Sequence, residues 1–280
     1  MKILLQTTIV PTEDDWHIGR FSRLRDHLAS LPGVDVVARD RATPGGQADP
    51  VLASLADSDF TQLWLFAVDV GDGLNAEECA AIAAFRARGG GLMITRDHMD
   101  LGSSVCTLGG VGDAHYFHSS SVDPDPERNR RDDVATGYID FPNYHSGANG
   151  DWQAIHAVGE AHPVLQDKDG SLLGRLPAHP HEGGVGAPDG AVARVIATGV
   201  SKITGRPFNI AVAFDGEGGK GRGLAQSTFH HFADYNWDPR DGSPSFVDEP
   251  PGDAMLRDPE ALRQTKQYMT NLALWLGGGR

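Results

Sequence analysis

The first third of the chain alternates short apolar runs with amphipathic ones. Lys2 to Val10 is apolar, rich in β-branched residues and closed by Pro11, which predicts a first buried strand. Ile18, Phe21, Leu24, Leu28 and Leu31 then recur at spacings of three and four, a helical face that Pro32-Gly33 stops. Val34 to Ala38 predicts a second strand, Thr43 to Pro50 a polar loop, and Gln62 to Val68 a third strand. The third is apolar throughout, as a strand covered on both faces should be. Asn75 caps the next helix, with Glu78 completing a capping box and Cys79, Ile82 and Phe85 on the buried face. Gly89 to Gly91 ends it, and Leu92 to Thr95 is a fourth strand. Strands separated by short crossovers predict an α/β fold: three layers, doubly wound around a mainly parallel, flavodoxin-like sheet.

From Leu101 to Gly150 the pattern changes. Apolar runs are few, Gly, Ser, Asp and His abound, and Asp123 to Asp133 is strongly charged. A long irregular stretch of this kind reads either as a lid over a site or as a solvated excursion. Strand patterns return at Ala193 to Thr198, Phe208 to Phe214 and Gly223 to Thr228, with a Gly-rich turn at Asp215 to Gly221. The last helix starts at Asp258-Pro259 and buries Leu262, Met269, Leu272 and Leu276. No internal repeat or linker divides the chain, so residues 1–280 read as one domain with a loop-rich insertion around 101–150.

Charge narrows the partners. With 38 acidic against 24 basic residues, the formal net charge of −14 repels phosphate backbones and anionic lipid. Nucleic acid and membrane are excluded as expected partners, and a small-molecule substrate is left, with homo-oligomerisation open. The apolar start is too short for a membrane span and lacks a cleavage site. Two cysteines make no disulfide framework, which suits a reducing compartment, so the expected location is cytoplasmic.

Chemistry concentrates at two predicted strand ends. RGGGLMITRDHMDLG runs a strand straight into Asp97 and His98, and ligands in open α/β sheets bind beyond the carboxyl ends of strands. His98 there can act as general acid or base, or ligate a metal with a neighbouring Asp orienting its other nitrogen. The second cluster is STFHHFADYNW, residues 227–237. Alternation would send His230 and His231 to opposite sides, and Asp234, Asn236 and Trp237 offer hydrogen bonds and an aromatic wall for a polyol; a core plug is the competing reading. His17 follows the first strand and is expected to face the same cleft. Twelve histidines raise a divalent metal, with His98, His115, His118, His181, His230 and His231 as candidates together with Glu182 and Asp234, and no HExxH helix to support it. No cofactor is certain from the sequence.

The order of these motifs is similar to that of the trehalose-utilisation (ThuA-like) family, within the class I glutamine amidotransferase-like fold. GLNAEECAAIAAFRARGGGLMITRDH resembles its helix, Gly run and His-ending strand, LGGVGDAHYFH its aromatic-His segment, AHPVL its His-Pro element, and GEGGKGRGLAQSTFHHFADYNW its late strand. HPHEGG stands where the family has an Asp-Glu-aromatic segment. The resemblance implies carbohydrate metabolism. True amidotransferases of this fold carry a cysteine at the strand-to-helix elbow; here the elbow holds Asp97, His98 and Met99, with Cys106 eight residues beyond His98, so cysteine-based glutamine hydrolysis is not expected. The leading reading is an enzyme, a hydrolase or isomerase, acting on a carbohydrate or other small polar metabolite by His-based acid/base or metal-assisted chemistry. Asp97, His98, His118, His230 and His231 would be catalytic, and His17, Glu182, Asp234, Asn236 and Trp237 would bind substrate. The alternatives are a non-catalytic sugar-binding protein on the same scaffold and a hydrolase using Cys106.

Overall fold

The computed structural model describes residues 1–71, 73–105, 108–132 and 136–279. Twelve strands are defined among them: β1 Lys2–Thr7, β2 Asp35–Arg39, β3 Gln62–Phe66, β4 Gly91–Thr95, β5 His115–Tyr116, β6 Trp152–Ala154, β7 His156–Ala157, β8 Arg175–Pro177, β9 Gly184–Val185, β10 Ala193–Val200, β11 Pro207–Phe214 and β12 Gly223–Gln226. Eight of these form one sheet in the order β2-β1-β3-β4-β12-β11-β10-β7. From β2 to β12 the neighbours are parallel, and β11, β10 and β7 extend the sheet antiparallel. The expected mainly parallel three-layer sheet is observed.

Alternate side chains of each strand feed two cores. Ile3, Leu5, Trp64, Phe66, Met93 and Leu224 face one cluster, which α1 (Ser22–Ala29) closes with Leu24 and Leu28. Leu4, Leu63, Leu65, Leu92, Ile94 and Ala225 face the other, closed by α2 (Pro50–Ala53) with Leu52 and α3 (Ala76–Ala87) with Ile82 and Phe85. After α4 (Asp234–Trp237) and α5 (Ala254–Arg257), the long α6 (Pro259–Leu276) lays Tyr268, Met269 and Leu272 on the first face. Asp258 caps α6 through Glu260 N, and the Asn75–Glu78 capping box starts α3.

Several boundaries differ from the sequence pattern. The helix expected from Ile18 to Leu31 is a 3-10 turn, Ile18–Phe21, leading into α1, because the Asp234 carboxylate accepts from Ser22 N and Arg23 N and pins a new helix start there. The short α2 was not anticipated; Asp49 at its N-terminus accepts from Val51 N and Leu52 N. The strand expected to reach Thr228 stops at Gln226, and that early exit shapes the site. Part of the 101–150 region packs on the sheet: among its described residues Val105, Leu108, Val111 and Phe117 join the second core, and Ile139 is also buried. Cys106 and part of the charged stretch lie outside the described residues. Among those described, no helix is long and apolar enough to cross a membrane.

Candidate active site

Three chain segments meet beyond the carboxyl ends of β4 and β12. The first leaves β4 through a tight turn in which Met99 takes a left-handed φ of 49°, a costly conformation for a residue with a side chain. The Arg96 guanidinium holds that turn by donating to the Leu101 carbonyl at 2.9 Å and to the Met99 carbonyl, while lying 4.3 Å over the Phe117 ring. The second segment leaves β12 at Ser227 and coils into a 3-10 turn, Phe229–His231, tied to the first by Phe229 N donating to Arg96 O at 2.9 Å. The Thr228 hydroxyl accepts from His230 N at 3.1 Å and donates to Asp97 Oδ1 at 2.9 Å. One side chain thereby sets both Asp97 and His230.

The third segment, residues 178–183, crosses over both strand ends. It comes so close that a Cβ on Gly183 would sit 2.4 Å from Asp97 O and 2.8 Å from Ser227 O, so only glycine fits. The Ser146 hydroxyl accepts from His179 N at 2.9 Å and fixes the start of the crossing.

These constraints gather Asp97, His179 and His230 into one buried cluster whose ligand atoms suit a metal ion. Nε2 of His179 and Nε2 of His230 each lie 3.4 Å from Asp97 Oδ2. The two imidazoles stack with centroids 3.6 Å apart and planes 12° apart. Their far nitrogens are anchored: His179 Nδ1 is 3.0 Å from Asn149 Oδ1, and His230 Nδ1 is 3.0 Å from Asn236 Oδ1. The amide directions follow from the Ala178 carbonyl, which can only accept. Asn236 Nδ2 donates to it at 3.0 Å and to Asn149 Oδ1 at 2.9 Å. Both amide oxygens therefore face the imidazoles, and both Nδ1 atoms must carry hydrogen. In a neutral ring that leaves Nε2 with a bare lone pair, and it points at a carboxylate oxygen. His179 Nε2 is buried without a hydrogen-bond partner.

Burial pushes the His179 imidazole well below its usual range, with His230 adding and Asp97 opposing, so the ring is neutral. Burial by itself raises the Asp97 carboxyl, and only positive charge on the imidazoles of His179, His98 and His230 would bring it low. His98 lies beside the cluster, Nε2 3.6 Å from Asp97 Oδ2, and burial brings it down to about 4. His181 sits 5.5 Å from the His98 ring and 5.4 Å from the His179 ring by centroids, and its Nε2 is 3.0 Å from Glu249 Oε1. The Trp16 ring meets the His230 ring edge-on at 4.6 Å. All of them line a cavity of about 210 Å³ that also receives Asp15, Val68, Asn149 and Phe246.

The structure thus brings together Asp97, His98, His181 and His230 of the residues expected from sequence, and separates the others. His118 lies against Phe141, outside the cavity lining. His17 caps its own 3-10 turn, accepting from Gly19 N, and opens on a different shallow pocket. His115 is buried in β5, where burial takes it to about 3. Asp234 caps α1 and does not reach the cavity. Asn236 orients His230 from behind. The expected aromatic wall is absent: Trp237 is 1% exposed and its Nε1 donates to His231 O within the core. His231 and Glu182 are fully buried and turn toward each other, 3.3 Å apart, behind the cavity. His230 and His231 do diverge, although a 3-10 turn and not strand alternation separates them. The sequence reading passed over His179, Asn149, Thr228, Trp16, Asp15 and Glu249. His179-x-His181 was a visible spacing, but it lay in an irregular segment with no period to give it a face.

No protein-family model matches the sequence, and no curated protein matches it. Among solved structures, the glutaminase domain of Trypanosoma brucei CTPS with bound acivicin is similar, at 13% identity and a TM-score of 0.51, over 98% of this chain and 94% of that one. The likeness is one of fold: a three-layer α/β scaffold like that of this glutaminase domain.

Proposed function

We propose that this chain is a metal-dependent enzyme, a hydrolase or isomerase acting on a small polar metabolite, built on an amidotransferase-like scaffold without a cysteine at the elbow. One observation carries the reading: Nε2 of two imidazoles, each keeping its hydrogen on Nδ1, and one carboxylate oxygen converge. Such an arrangement is repulsive unless a proton or a cation occupies the centre. The spacing favours a cation. Ligands of a tetrahedral ion bound at about 2.0–2.1 Å stand about 3.3–3.4 Å apart, and the Nε2–Oδ2 separations here are 3.4 Å. Two histidines and one carboxylate, each held by a further hydrogen bond, suit zinc or iron(II) and leave coordination positions open.

A bound divalent ion would supply Lewis-acid chemistry at the cavity floor. The protein supplies the rest. Thr228, Asn149 and Asn236 keep the three ligands oriented before any ion arrives. His98, whose Nε2 lies beside the ligand carboxylate, is placed to take or give a proton. His181, backed by Glu249, is the second such group. Carbohydrate chemistry, implied by the ThuA-like resemblance, fits a polyol in this cavity, with aromatic contacts from lining residues other than Trp237.

Elemental analysis of protein purified without chelator tests the reading. One zinc or iron per chain is expected, lost in His179→Ala. A metal-free protein that binds neither ion on titration would sink it.

A further inference from the structure

The cavity has a one-sided charge, and this bears on what enters it. Among the described residues that line it, Asp15, Asp97 and Glu249 are carboxylates, and none is Lys or Arg. The two nearby guanidiniums are directed elsewhere. Arg96 serves the carbonyls of Leu101 and Met99, and Arg20 donates to the main-chain carbonyls of Asp15 and Gly242. Apart from the imidazoles of His98, His179, His181 and His230, an anionic substrate such as a phosphate ester or a carboxylic acid would find no basic side chain in the described lining to pair with. With one divalent ion on Asp97, the three carboxylates still leave the lining net negative, inside a chain already at −14.

The rim adds a second signal. Tyr138 and Phe246 line the cavity yet remain 75% and 54% exposed. Trp16 continues the aromatic surface inward to His230. Asp15 and Glu249 sit on the same lining and are only partly buried. Aromatic faces beside carboxylates recognise organic cations, through ring quadrupole and ion pairing together.

We infer that the substrate is a small organic cation, a molecule carrying a protonated amine that rests between Asp15, Glu249 and the aromatic rim. This inference rests on the active-site reading above and names the substrate class for it. An amine-bearing polyol satisfies both.

The test uses three probes of one shape, cyclohexylamine, cyclohexanol and cyclohexanecarboxylate, titrated by calorimetry into zinc-loaded protein at neutral pH. The amine should bind roughly tenfold more tightly than the alcohol, and the carboxylate more weakly than either. The double variant Asp15→Asn, Glu249→Gln should abolish the amine preference and leave the alcohol affinity in place. Three results overturn the inference: a carboxylate that binds as well as the amine, an amine preference that survives the double variant, or no binding by any probe. The two readings fail separately. A protein that takes up no zinc yet prefers the amine loses only the metal, and a zinc-loaded protein that prefers the carboxylate loses only the substrate class.

Discussion

Two histidine–carboxylate clusters sit back to back, one residue apart along two stretches of chain. His230 and His181 face the cavity; His231 and Glu182 face the interior. The inner pair is saturated. Glu182 accepts from Ser146 Oγ at 2.5 Å, from Ser227 Oγ at 3.0 Å and from Gln153 Nε2, with His231 Nε2 3.3 Å away. Tyr268 donates to Gln226 Oε1 at 2.7 Å, which turns Gln226 Nε2 toward His231 Nδ1, also at 2.7 Å. His231 therefore carries its hydrogen on Nε2, the nitrogen that faces Glu182. In His179 and His230 the tautomer is reversed, and Nε2 is left bare. Similar residue types, equally buried, thus serve opposite ends: one cluster pairs within the protein, and the other turns its ligand atoms toward the cavity.

Substitution at each carboxylate should separate the two roles. Glu182→Ala removes the carboxylate that Ser146, Ser227 and Gln153 donate to and that faces His231, and urea denaturation should show a loss of about 3–5 kcal/mol. Asp97→Asn should do the reverse. In metal-free protein an amide can donate toward the facing Nε2 lone pairs, so stability should hold or rise by about 1 kcal/mol, while zinc uptake is lost. If Asp97→Asn costs as much stability as Glu182→Ala, the outer cluster is another structural pair and the contrast fails.

A smaller effect sharpens the tautomer argument. Asn236→Ala removes the acceptor that keeps hydrogen on His230 Nδ1. Chelator competition should show zinc affinity falling by about 10- to 100-fold with the fold intact. The smallest effect is expected at His118. His118→Ala should leave zinc content unchanged and stability within about 0.5 kcal/mol, since its ring meets Phe141 outside the cavity lining. A loss of metal there would mean that the cluster extends beyond the residues gathered around Asp97.

Much of the scaffold was legible because it depends on local period and punctuation. The apolar runs of β1, β3 and β4, the Asn75–Glu78 box and the Asp258-Pro259 start all appear where the pattern puts them. The boundaries that moved did so under distant partners: Asp234 restarts the first helix from more than two hundred residues away. At the site, Asp97, His98 and His230 were legible because they follow strands. His179 and Glu249 were not, since each arrives on a segment without regular period. Trp237 and Glu182 misled because a polar or aromatic residue near a strand end looks the same in sequence whether it turns outward or inward.

Hydrophobic period and turn chemistry, read along the chain, are enough for the layers, the parallel strands and the edge where polar residues collect, because each is settled within a few residues of itself. Folding alone selects which imidazoles meet and which nitrogen of each ring keeps its hydrogen. Those outcomes depend on a glycine at 183 that lets two segments touch, and on amide groups whose direction is set by a carbonyl at 178. Both are contacts between stretches far apart in the chain, and no local pattern encodes them.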